Sequence, residues 1–271
     1  EEEEDRERER DTKGKRELEE SATKELETVA LLVGVQGGSD GEEEWEGSWE
    51  DVEAVAAALE ATFGSKCTIL SVTDRDGSKT DAAWAEGVKR ALLACVALLE
   101  ERCKGGRRRG QLLFYYSGPC CVAPEGTSLV PAECAGGEGG PAPGFSLATV
   151  FAAQQLLGRP LAAVFDCVRG PAASRLLPSS SNGSARGGDC ALSILATASQ
   201  RSASDGARQR GRLTSKLLAL LQHRQPGGLC FDELAHAVKA ELLADGVRAS
   251  LSSYPLVRSA DDRRLRCFHF L

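Results

Sequence analysis

The sequence has no methionine, and only three histidines, three tryptophans and three tyrosines among its 271 residues. With so few imidazoles and no CxxC pair at zinc spacing, a structural zinc site is not expected. No apolar run reaches the roughly 18–20 residues that span a bilayer, so no membrane helix is expected. No charged-then-apolar leader opens the chain, so nothing points to secretion, and a cytoplasmic location is the expectation. A start at Glu1 with no Met reads as a piece of a longer protein. GxxxxGKS and a strand-linked GxGxxG are both missing, which argues against a nucleotide-binding or flavodoxin-like domain. Gly34–Gly38 could imitate a phosphate loop, but the acidic run after it would repel phosphate.

What is present is ordinary for a globular domain: 42% hydrophobic and 27% charged residues. Ten cysteines could build a disulfide framework. Their placement on helical and strand-like patterns, with Cys120 and Cys121 adjacent, favours reduced and mostly buried thiols. The net charge of −7 is unevenly placed. Residues 1–28 hold 13 acidic and 7 basic side chains, and the remainder holds 27 and 26. The acidity therefore belongs to an N-terminal arm, residues 1–27, with too few apolar residues to bury a core. A solvated helix or disordered linker is expected there, with an acidic docking tail as the sharper alternative. The domain beyond it has no basic excess, so nucleic acid is not an expected partner.

From Thr28 the signals alternate between strand and helix. Strands are expected at 28–35, 67–72, 111–118, 161–166 and 191–198, with a last one near Leu265–Phe270. Ser48 is placed to cap a helix over about 49–63. Further helices are expected over about 80–103, 145–157, 211–222 and 230–244. The basic run at 104–109 reads as a solvated loop that complements the helix before it. Residues 170–189 are rich in Pro, Ser, Gly and Asn and read as an exposed loop. This order implies one α/β domain with a mostly parallel sheet and helices on both faces. Sites in such sheets lie at the carboxyl ends of the strands, which directs attention to the segments beginning at Ser117 and Asp166.

Those two segments carry a resemblance. LeuLeuPheTyrTyrSerGlyProCys (112–120) resembles the F-Y-[SA]-G-H-G stretch of metacaspases and paracaspases. ThrSerLeuValProAlaGlu (127–133) is similar to that family's x-L-V-P-x-D. AlaValPheAspCysValArgGly (163–170) resembles its fourth strand and D-x-C motif. Residues 196–206 are similar to its Q-T-S-A-D loop, and GlyArgLeuThrSerLysLeuLeu (211–218) to its G-x-x-T-x-x-L-L helix start. The resemblance to the caspase-like cysteine peptidases runs from about Thr28 to Leu271. It implies a caspase-like (caspase-hemoglobinase) three-layer α/β sandwich with about six strands. It also implies a p20-like part over 28–169, the loop 170–189 and a p10-like part over 190–271.

That chemistry needs a thiolate and an imidazole beside it. Backbone N–H groups after the histidine and at the cysteine form the oxyanion hole. Here the histidine position is Pro119 and the cysteine position is Val168. Gly118 and Cys120 stand in the oxyanion-hole region. Neither Pro119 nor Val168 can exchange a proton or attack a carbonyl, so no intact catalytic residue is expected. The fallback nucleophile is Cys167, which strand alternation would point away from the site unless a bulge re-aims it. His223, His236 and His269 lie in other elements and read as surface or core histidines.

The resemblance also implies that Asp166, bordered by Asp205 and Asp189, helps form an acidic pocket for a substrate Arg or Lys. The alternative is that Asp166 bonds the chain at a strand end. The expected function is a pseudopeptidase that binds a protein or a basic peptide segment as a regulator or scaffold, as a homodimer or in a heterodimer with an active relative. The alternative is an endopeptidase cutting after Arg or Lys through Cys167. No cofactor is expected, with calcium implied by the resemblance alone, and no membrane partner.

Overall fold

A computed structural model describes residues 25–35, 47–74, 81–105, 108–123, 126–129, 145–146, 149–150, 159–168, 192–198, 210–223, 229–247, 249–254 and 269–270. Its centre is a sheet in which β1 (Glu25–Gly34), β2 (Cys67–Thr73), β3 (Arg108–Ala123), β6 (Leu161–Val168) and β7 (Leu192–Ala198) run parallel. The path is β2-β1-β3-β6-β7-β9, closed on one edge by the antiparallel β9 (Ala249–Tyr254). Six strands and their parallel majority agree with the expected α/β class.

The strands form where apolar residues run uninterrupted, because both faces of the sheet are covered. Val29, Leu31 and Val33 face one core with Leu112, Phe114, Phe165 and Cys167. Ala30 and Leu32 face the other with Leu113, Tyr115, Ala162 and Val164. The first core is closed by α2 (Asp81–Arg102), which sends Trp84, Val88, Leu92, Cys95 and Leu99 onto the sheet. The second is closed by α1 (Ser48–Phe63), α3 (Arg212–His223) and α4 (Phe231–Ala244), through Val52, Val55, Leu213, Leu217 and Leu234. Each is a helix whose apolar positions recur at 3–4-residue spacing on one face.

Several expectations are corrected. Strand β1 begins at Glu25, inside the stretch assigned to the arm. Glu27 is buried there and accepts ion-paired hydrogen bonds from Arg102 (3.1 Å) and Arg108 (2.8 Å). The basic run at 104–109 therefore enters β3 and in part serves, through Arg108, as a partner for a buried carboxylate, not only as a solvated loop. Helix α1 begins at Ser48 and its cap is Gly47, at φ 104° and without a side-chain cap bond. The third strand does not stop at Gly118. It continues to Ala123 and turns into β4 (Gly126–Leu129), with Cys120 opposite Leu129.

The helix expected from Phe145 is instead opened by a short strand β5 (Phe145–Ser146) paired with β4. Phe145 leaves the helical pattern because its ring packs on Phe114, with centroids 6.2 Å apart. The closing strand of the main sheet is Ala249–Tyr254, which was not anticipated. Its alternate serines hide the strand pattern, although Ala249 and Leu251 pack onto the second core. The terminal strand β10 (His269–Phe270) does not join that sheet and pairs antiparallel with β8 (Leu229–Cys230). The arm before Glu25 and the loop 170–189 lie outside the described residues.

Candidate functional site

The two positions where the chemistry was sought come together at the carboxyl ends of the central strands. In the parallel register of β3 and β6, Ser117 stands beside Asp166, Gly118 beside Cys167 and Pro119 beside Val168. Adjacent strands lie about 4.8 Å apart, so Pro119 and Val168 are immediate neighbours across the sheet. Gly118 has a positive φ of 154°, which favours glycine, and a Cβ on it would fall 2.9 Å from both Val35 Cβ and Tyr116 Oη.

Alternation along β6 divides its side chains. Leu161, Ala163, Phe165 and Cys167 face the core under α2. Ala162 and Val164 face the opposite core, and Asp166 meets the start of α3 on that side. Cys167 is fully buried and is a thiol, not half of a disulfide. The fallback nucleophile thus points away from Asp166, with no bulge in the β6 register between Leu161 and Val168. None of the three histidines is on β3 or β6. His223 ends α3, His236 is exposed on α4 and His269 is in β10.

On the Asp166 side lies a buried polar network that sequence reading did not assemble. Asp51, Tyr115, Ser117, Asp166 and Thr214 are all at 0% exposure. Thr214 donates to Asp166 Oδ2 twice, from its backbone N–H at 2.9 Å and from its hydroxyl at 2.8 Å. The Tyr115 hydroxyl is 2.6 Å from Thr214 Oγ1. Because the threonine proton is committed to Asp166, the tyrosine must be the donor in that pair. Ser117 donates to Asp51 Oδ2 at 3.0 Å, and the Gly211 N–H reaches both Asp51 oxygens, at 3.0 and 3.2 Å.

These bonds share one physical purpose. Gly211 and Thr214 carry orphan N–H groups of the first turn of α3, which no intrahelical carbonyl can satisfy. Asp51 from α1 and Asp166 from β6 satisfy them, and both place carboxylates at the positive end of the helix dipole. Position 211 must be glycine. A Cβ there would overlap Asp166 Oδ2 outright and come 3.0 Å from Asp51 Oδ2.

The Tyr115 phenol is pushed well above its ordinary range, chiefly by burial and then by the Asp51 and Asp166 charges. It stays protonated and serves as a fixed donor. The glycine and threonine of the 211–218 motif were visible in sequence, but their partners were not. An acidic residue in the first turn of α1, beside the buried Val52, was the available signal for Asp51.

Cys95 and Cys103 are buried core residues and Cys67 is partly buried beside the second core. Burial pushes the Cys67 and Cys95 thiols up to about 12, with the Glu60 charge adding to the effect at Cys67. Cys103 is raised as well, by burial first. Thiols raised in the folded state contribute stability that is fully present below their unfolded value near 9 and is lost as pH rises towards 12. The urea midpoint is therefore expected to fall between pH 8.5 and pH 10.5. Cys95 is expected to resist iodoacetamide at pH 8 until the protein unfolds, as peptide mapping would show. Rapid native labelling of Cys95 would contradict its burial.

Among the described residues, no group of three or more His, Cys, Asp or Glu is placed to hold a metal ion. No described helix is long and apolar enough to cross a membrane. Asp205, Asp189 and the loops around them lie outside the described residues, as do the side chains of Pro119, Cys120 and Val168.

No protein-family model matches this sequence, and no curated protein is similar to it in sequence. The similarity is structural. The chain superimposes on pro-sf-caspase-1 with a TM-score of 0.51 and 11% identity over 82% of each chain. It superimposes on a Geobacter sulfurreducens protein, a structural-genomics target, with a TM-score of 0.51 and 12% identity over 84% of this chain and 93% of that one. With the sheet order, the two helical layers and the strand-end geometry already described, these likenesses establish that the chain has the caspase-like fold.

Proposed function

We propose that this caspase-like domain is a pseudopeptidase that acts by binding protein, as a regulator of an active relative or as a scaffold. The observation that carries the reading is the juxtaposition of Pro119 and Val168 in the β3–β6 register. The strands meet where a histidine and a cysteine would be brought together, and the residues there offer neither a base nor a nucleophile. Burial of Cys167 on the opposite face from Asp166 supports the same reading, because a displaced thiol would have to leave the core to meet a substrate. The chain around the missing chemistry is kept in order by the Asp51–Gly211 and Asp166–Thr214 bonds, so the strand-end surface persists without the reaction.

The ligand proposed for that surface is a basic peptide segment, with the buried Asp166 behind it and Asp205 as the second candidate acidic residue. Incubation of the purified domain with Arg- and Lys-ended fluorogenic peptides, with and without calcium, is expected to give no turnover above blank. Turnover that disappears in Cys167→Ala would overturn the proposal and favour an endopeptidase with a rearranged dyad. Anisotropy of an Arg- and Lys-containing peptide is expected to report binding that an acidic peptide of equal length does not show.

A further inference from the structure

Helix α2 lies against the sheet with one face and leaves the other unpartnered among the described residues. Leu93 and Leu98 are two of the three large apolar side chains exposed on the described surface, at 48% and 36%. Between them run Arg90, Ala94, Ala97 and Glu101, all exposed and at helical spacing, so they form a single stripe opposite the buried Leu92, Cys95 and Leu99. The small alanines in the middle would let a second backbone approach closely. The charges are not scattered. Glu86 and Arg90 lie N-terminal to the alanines and Glu101 and Lys104 lie C-terminal to them.

We infer that this face is an isologous dimer interface, with the α2 helices of two copies of the chain packed antiparallel about a twofold axis near Cys95 and Val96. The occupant is fixed by charge order. Turning one helix end for end sets Arg90 against Glu101 of the second copy and Glu86 against Lys104 of the second copy, each twice by symmetry. Ala94 then meets Ala97 of the second copy at the axis, and the leucines close the two flanks.

No charge in this stripe meets its like. Within one copy, Glu101 is already bonded to Lys104 and Glu86 lies 3.8 Å from Lys89. Such exposed pairs exchange partners at little cost, so they set orientation more than affinity. One helix pair covers less than the roughly 1,200 Å² of a standard interface, which places the dimer in a weak, micromolar class. This interface is separate from the strand-end surface and does not depend on the proposed function.

Sedimentation velocity of the whole chain, from about 1 to about 200 µM, is expected to show a monomer–dimer equilibrium. Ala94→Arg places bulk and charge on the axis and is expected to weaken it at least about tenfold. Arg90→Glu and Glu101→Arg singly oppose like charges and weaken it. The Arg90→Glu/Glu101→Arg double variant reverses both rungs and restores it to within about threefold of the original. Circular dichroism checks that each variant is folded, which these exposed positions favour. A chain that stays monomeric throughout overturns the inference. So does a dimer that ignores Ala94→Arg, one that the double reversal fails to restore, or one lost only on substitution in Ala249–Tyr254.

Discussion

Gly211→Ala is expected to lower the free energy of unfolding by about 3 kcal/mol or more, one of the two largest effects available from a single substitution in this domain. The backbone there is not left-handed, so the cost is steric. The new methyl would occupy space already held by Asp166 Oδ2, with Asp51 Oδ2 on its other side. Either the helix start moves or a carboxylate does. Movement of α3 by even half an ångström stretches the Gly211–Asp51 and Thr214–Asp166 bonds together, and each would leave a buried ionisable group short of a donor. Urea unfolding followed by far-UV circular dichroism measures the loss. Gly87→Ala is the matched control. Gly87 lies inside α2, nothing would touch its Cβ within 4 Å, and the change is expected to stabilise by about 0.5–1 kcal/mol. Equal effects at the two sites would show that the carboxylates do not crowd position 211.

Asp166→Ala is expected to cost about 3 kcal/mol. It removes the acceptor of two Thr214 donors in a site with no exposure, and the Tyr115 hydroxyl at the far end of the chain of bonds loses its ordered partner. Asp166→Asn keeps one acceptor oxygen of the same shape and is expected to cost about 1 kcal/mol. Thr214→Val removes the hydroxyl but keeps the backbone donor, so it should be partly redundant with Asp166→Ala. A double-mutant cycle is expected to show coupling of about 1 kcal/mol or more between the two positions. A cost below about 0.5 kcal/mol for Asp166→Ala would show that the carboxylate does not hold α3 to the sheet. The distinction bears on function. A residue that served only a ligand would change peptide binding and leave the urea midpoint alone, whereas a residue that seats α3 moves the midpoint first.

Much of this was legible in the residues, and the reason is local. Short apolar runs such as 28–35 and 161–166, bounded by glycine or loop residues, read as strands covered on both sides, and 3–4-residue spacing from Trp84 to Leu99 reads as a helix lying on one of their faces. That Pro119 and Val168 carry neither an imidazole nor a thiol was likewise readable, because it depends only on what those two side chains are. Where local pattern was weak, the reading failed. Ala249–Tyr254 is half serine with a single large aliphatic residue, Leu251, and only the open edge of β7 makes it a strand. Phe145 opens an apparent helix, and the ring of Phe114 makes it a strand residue instead. Glu27 looks like one more charge of the arm until Arg102 and Arg108 arrive from residues 75 and 81 positions away.

The sequence by itself determined the α/β order, the two-sided burial of the sheet and the absence of a base or nucleophile at Pro119 and Val168, since each follows from side-chain type and short-range spacing. The tertiary structure alone decided that Pro119 and Val168 stand side by side, that Cys167 faces the other core, and that Asp51 and Asp166 both serve the start of α3. Those facts are pairings between residues separated by 48 to 160 positions, where strand register and helix docking set the distance. No periodicity within one element encodes them, because a hydrogen bond across the sheet depends on where two elements stop and not on what either repeats.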